Sequence, residues 1–164
     1  MINYMNLNLS QKERMLLEDQ KTHEQLCIEK YTNFAHEASD AELKQMFLNH
    51  ASQEQEHLNS INQMLNGQIP DLNQNQQSSQ NNQNQMNNQP QNVQQAGMVN
   101  QTDEKLCEDL LMTEKYVSNT YDTSIFEFKD SNARDVLNHI QKEEQQHGEH
   151  ISNYMINHGM YTVQ

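Results

Sequence analysis

The sequence predicts an all-α fold, a four-helix bundle built from two similar helical hairpins joined by a long disordered crossover. Three observations lead there. Apolar residues recur three and four positions apart in four stretches, the pattern of helices that each bury one face. Between the second and third stretches, residues 68–101 read QIPDLNQNQQSSQNNQNQMNNQPQNVQQAGMVNQ, a Gln/Asn tract that holds both prolines of the chain and almost no apolar residue. The halves on either side match without a gap at an offset of ninety: Leu16, Glu18, Asp19, Glu24, Tyr31, Asp40, Glu54, Gln55, His57 and Ile61 recur as Leu106, Glu108, Asp109, Glu114, Tyr121, Asp130, Glu144, Gln145, His147 and Ile151.

Residues 1–9 read as an N-terminal tail. The first hairpin spans 10–67. Ser10 with Glu13 has the spacing of a capping box ahead of its first helix, Ser39 with Glu42 has the same spacing ahead of its second, and Asn66 and Gly67 supply a stop. The tract at 68–101 cannot bury enough apolar surface to offset its ordering entropy, so it is a flexible linker. As a flexible chain it spans about 30 to 35 Å, close to one bundle length, and can place the second and third helices parallel. The second hairpin spans 102–164: Thr102 and Asp103 open its first helix, KDSN breaks the chain, and the last helix runs to His158 and Gly159. The two hairpins are expected to close into one bundle.

Composition excludes several functions. The net charge of −13 leaves too few Lys and Arg for nucleic acid or an anionic membrane surface. No run approaches the length that spans a bilayer, and MINYMNLNLSQKER lacks the basic and apolar regions of a signal peptide, so synthesis without a signal peptide in the cytoplasm is expected. Cys27 and Cys107 have no CxxC partner and read as free buried thiols.

The seam positions carry the chemistry. Helix one presents Leu17, Gln20, Glu24, Cys27, Tyr31, Phe34 and Ala38, and helix two Leu43, Phe47, His50, Glu54, His57, Ile61 and Met64. Helix three presents Cys107, Leu110, Glu114, Val117, Tyr121, Ser124 and Phe128, and helix four Ala133, Leu137, Ile140, Glu144, His147, Ile151 and Tyr154. Each stripe contains one Glu, and two add a His three residues later on the same face. Four buried carboxylates would repel and lose their hydration, at a cost of several kcal/mol per charge. Two divalent cations would neutralise them, with two imidazoles completing the ligand set. One Glu from each of two helices, plus Glu-x-x-His from each of the other two, is how ferritin-like di-iron and di-manganese proteins build their sites. The expected metal ligands are therefore Glu24, Glu54, His57, Glu114, Glu144 and His147, with Fe or Mn as the ions. Without metal, all four carboxyls are expected to titrate above their ordinary range. His50 and His150 fall one turn from the ligands and read as supporting or packing groups. Tyr31 and Tyr121, two turns past Glu24 and Glu114, could bond a ligating carboxylate or simply fill the core.

The second half resembles the Coat F domain of the spore coat protein F family of endospore-forming bacteria. The resemblance rests on DLLMTEKYVSNTYDTSIFE, EEQQHGE and YMINHGMY, and covers nearly all of 104–161. The first half is similar to the same family and to the wider ferritin-like group through LLEDQKTHEQLCIEKYTNFA and EQEHLNSINQML. The ferritin-like resemblance implies that Glu54 and Glu144 bridge two metals, with Glu24 and His57, and Glu114 and His147, as terminal ligands. The Coat F resemblance implies a spore coat location, with other spore coat proteins as partners; a homodimer is a further option. The alternative function is a di-iron or di-manganese oxidoreductase acting on peroxide or Fe(II), similar to rubrerythrin or manganese catalase. The chain lacks the CxxC iron domain of rubrerythrins, and its Gln/Asn tract is unlike the structured crossover of ferritins.

Overall fold

Helix boundaries fall where side chains or glycines can take up the backbone groups that a helix end leaves unpaired. A computed structural model describes residues 5–72 and 98–161, and among these are four helices: α1 (Gln11–Glu37), α2 (Ala41–Leu65), α3 (Gln101–Glu127) and α4 (Ser131–Asn157). Most of the predicted crossover, residues 73–97, lies outside the described residues. Ser10 and Glu13 form the expected capping box on α1. Helices α2 and α4 are capped by Asp40 and Asp130, the pair ninety apart, and not by Ser39. Helix α3 starts slightly earlier than expected, because the Asn100 side chain accepts from the amides of Thr102 and Asp103. The stops are as predicted. Gly67 and Gly159 have φ of +78° and +69°, and the following amides of Gln68 and Met160 reach back to Gln63 and Met155 at 3.0 and 2.8 Å, closing a Schellman turn at each end.

Helices α1 and α2 form one antiparallel hairpin and α3 and α4 the other, with α1 packed on α3 and α2 on α4. Lys12 pairs with Glu127 at one end of the α1–α3 contact and Lys30 with Asp109 towards the other, each at 2.7 Å, so these helices run antiparallel. Across α2–α4, His50 meets His150 and His57 meets Glu143, again antiparallel. It follows that α2 and α3 are parallel, as expected of a crossover that runs the length of the bundle. The chain from 66 to 100 must therefore cover one helix length, about 40 Å.

Two first-turn acids lock the hairpins together. Glu13 accepts from the Lys129 amide in the α3–α4 turn, and Asp103 accepts from the amides of Ser39 and Asp40 in the α1–α2 turn. These are again residues ninety apart. The N-terminal segment and the start of the crossover are less detached than their composition implies. Leu7 is buried and donates to the Gly67 carbonyl, Asn6 bridges Gln68, and Ile69 and Leu72 pack against the core.

All the seam residues are buried except Phe34, which is partly covered, and they form two apolar blocks. One contains Phe47, Leu43, Leu110 and Ile151; the other contains Leu17, Ile61, Val117 and Ile140. Each such side chain contributes about 1.5 to 3 kcal/mol by burial. Between the blocks lies a polar layer.

Candidate metal centre

The polar layer is where the four glutamates converge. Glu24, Glu54 and Glu144 have no exposed surface, and Glu114 retains 2%. Because each glutamate occupies a seam position on a different helix at the same level, packing the apolar blocks above and below forces them together. The imidazoles of His57 and His147 enter from α2 and α4 one turn further along. His57 Nδ1 lies 3.1 Å from Glu54 Oε2, 3.1 Å from Glu144 Oε1 and 3.6 Å from Glu24. His147 Nδ1 lies 3.0 Å from Glu54 Oε1, 3.2 Å from Glu114 and 3.6 Å from Glu144 Oε2. Glu54 and Glu144 thus each turn one oxygen to either histidine.

Two donor groups result: Glu24, Glu54, His57 and Glu144 in one, and Glu54, Glu114, Glu144 and His147 in the other. Within each, one ligand atom per residue lies within 4.8 Å of all the others, so each group could hold a metal ion. The six residues are those read from the seams, and the two that belong to both groups are the two expected to bridge. The donor chemistry fits hard or borderline divalent ions. Moreover, Glu24 Oε2, Glu114 Oε2 and Glu144 Oε2 are buried without a hydrogen-bond partner, which is costly for a carboxylate unless a cation takes that place.

Burial and mutual repulsion push the carboxyls up: Glu54 to about 7, Glu114 to about 8, and Glu24 in the same direction. Glu144 departs from the expectation that all four rise. Burial and Glu54 push it up, but hydrogen bonds from Glu114, His147 and His57 outweigh them and hold it below the ordinary range. For both histidines burial favours the neutral ring, yet the surrounding carboxylates prevail and raise them well above 6.5.

The tyrosines bond carboxylates of the opposite hairpin. Tyr31 donates to Glu114 and Tyr121 to Glu24, because α1 and α3 run antiparallel and a residue two turns past one glutamate comes level with the other. His50 touches none of the carboxylates. Its ring stacks on His147 at 4.2 Å, and its Nε2 lies 3.1 Å from Nδ1 of the half-buried His150.

Sequence reasoning missed Glu143 and Gln53. Glu143 lies 2.6 Å from His57 Nε2, and Gln53 Oε1 accepts from His147 Nε2 at 2.8 Å. They are off the seam, although they are the ninety-offset pair next to the ExxH glutamates. Each imidazole is therefore fixed with Nε2 outward and Nδ1 toward the carboxylates.

The fold and this layer define a class: a four-helix bundle with a buried carboxylate and histidine cluster able to hold metal. The comparison with known families is more particular. Residues 102–164 match the family model of the Coat F domain, a span that contains α4 and all of α3 but its first residue, and thus Glu114, Glu144 and His147. No curated protein matches the chain. Among the described residues no helix is long and apolar enough to cross a membrane.

Proposed function

We propose that the chain is a spore coat protein of the coat F family whose ferritin-like bundle holds a dinuclear Fe or Mn centre. The observation that carries the metal reading is the sharing of Glu54 and Glu144 between two four-residue donor groups. The match of residues 102–164 to the Coat F domain supports the coat context, with other coat proteins as partners. Glu54 and Glu144, shared by both donor groups, would hold both ions, Glu24 and His57 would complete one position, and Glu114 and His147 the other. Tyr31 and Tyr121 hold the carboxylates of Glu114 and Glu24 in orientation, Glu143 and Gln53 hold the imidazoles, and His50 stacks on His147 with His150 behind it. The bound ion pair would supply charge neutralisation and Lewis-acid or one-electron chemistry. The hairpins at 10–67 and 102–164 act as one bundle, and the tract at 68–101 serves as the crossover.

A second reading, an oxidoreductase acting on peroxide or Fe(II), is favoured by a groove of about 270 Å³ between α1 and α3. Cys27 and Val117, both buried, form its floor one turn from Glu24 and Glu114, so a small molecule in the groove would lie one side chain away from the carboxylate layer. Elemental analysis of the purified chain, paired with peroxide-turnover and Fe(II)-oxidation assays, tests both readings. Two Fe or Mn per chain supports the centre, and turnover lost in Glu54→Gln supports the enzyme. A chain that neither carries nor takes up metal refutes the metal centre and the enzyme and leaves the coat reading standing.

A further inference from the structure

The two donor groups have the same inner composition, three glutamates and one histidine, and are related by the ninety-residue repeat. They differ immediately outside. His57 Nε2 donates to the carboxylate of Glu143 at 2.6 Å, whereas His147 Nε2 donates to the neutral amide oxygen of Gln53 at 2.8 Å. Glu143 is itself buried and is steadied by His139 Nε2 at 3.3 Å from its other oxygen. An anionic acceptor draws the Nε2 proton more strongly than an amide does, leaving Nδ1 more electron-rich and a better donor to a cation. It also places one more negative charge beside that position.

We propose that the two metal positions are unequal, and that the position formed by Glu24, Glu54, His57 and Glu144 fills first and binds more tightly because Glu143, and not an amide, backs its histidine. Glu143 and Gln53 are then positioning residues that set the order of loading. The inference rests on the dinuclear reading above and extends it to the two ions separately. A carboxylate behind a metal-bound imidazole is typically worth 10- to 100-fold in affinity, so two steps separated by about that factor are expected.

The test is a Mn(II) titration of the metal-depleted full chain, with free Mn(II) counted by its EPR signal and folding checked by circular dichroism. The wild type should take up one Mn(II) tightly and a second about 10- to 100-fold more weakly. Glu143→Gln should weaken the first step toward the second. Gln53→Glu, which adds a charge and removes no contact partner, should tighten the second toward the first. Glu24→Gln should abolish the tight step, and Glu114→Gln should spare it. Two equal steps in the wild type, steps that neither Glu143→Gln nor Gln53→Glu moves, or loss of the tight step in Glu114→Gln in place of Glu24→Gln would overturn the inference while leaving a dinuclear centre in place. No Mn(II) uptake by the folded wild type would overturn the dinuclear reading, and the inference with it.

Discussion

Tyr31 and Tyr121 show how a repeat reinforces itself at the scale of single residues. Each phenol is fully buried and donates to a carboxylate of the other hairpin, so each hairpin supplies the hydrogen bond the other lacks. Replacing Tyr121 by Phe leaves Glu24 Oε1 without its donor, whereas after Tyr31→Phe the Glu114 Oε1 still faces His147 Nδ1 at 3.2 Å. A loss of about 1.5 to 3 kcal/mol is expected for each in metal-free protein. Urea unfolding of Tyr31→Phe and Tyr121→Phe measures it, with the larger loss expected for Tyr121→Phe, because Glu114 keeps His147. The six residues of the donor groups were legible in the sequence because seam spacing fixes which side chains face inward, and a Glu in an apolar stripe stands out. Glu143 and Gln53 were not legible. An imidazole is long enough to reach past the seam to a neighbouring helix, and the residue it meets there sits at a position that periodicity marks as exposed. The separate behaviour of Glu144 was also hidden, since Glu54 meets both histidines as well and what separates the two is a further hydrogen bond to Glu144 from Glu114.

At the scale of elements, the helices were readable in their interiors and less so at their starts. Gly67 and Gly159 marked the C-terminal stops because a left-handed residue after a helix is most cheaply a glycine. At the N-termini several capping residues compete within two or three positions, and tertiary contacts decide between them. Asp103 illustrates this: it reads as a helix opener, but its carboxylate is used by the amides of Ser39 and Asp40 in the other hairpin, and Asn100 caps α3. Glu13 both closes the capping box and holds the Lys129 amide; its bonds to backbone and to Ser10 more than offset its burial, keeping its carboxyl below the ordinary range. Neutral Glu13→Gln and Asp103→Asn each keep one accepting oxygen, lose the charge that strengthens its bond, and set an NH2 group, which cannot accept, against the other backbone N–H. Each is expected to lower stability by about 1 to 2 kcal/mol, read as a shift in the urea midpoint with an unchanged slope.

For the whole molecule, the bundle gathers four acids and two imidazoles between two apolar blocks, and this makes its stability depend on protons and on metal in opposite ways. In metal-free protein Glu54 and Glu114 bind protons up to about pH 7 and 8, against 4.5 for an ordinary Glu. The folded state therefore holds more protons than the unfolded one across this interval. The associated stability is fully present below pH 4.5 and is lost as pH rises toward 8. His57 and His147, raised above 6.5, act in the same direction: their contribution is complete below that value and declines as pH climbs through their folded range. Glu144 and Glu143 act oppositely, contributing above 4.5 and failing only under stronger acid. Thermal melting of metal-free protein across pH 4 to 9 should consequently show greatest stability between about pH 4.5 and 6.5, with a decline on the alkaline side. Metal reverses that decline, because a cation competes with protons for the same carboxylates and imidazoles. The most direct measurement is the melting temperature of the full chain at neutral pH with and without Mn(II) or anaerobic Fe(II). At a hundredfold excess of free metal over its dissociation constant, stabilisation of about 2.7 kcal/mol is expected, shrinking as the pH is taken down to 5 and absent in Glu54→Gln/Glu144→Gln. A folded wild-type protein whose melting curve is the same with and without metal at every pH would contradict the account.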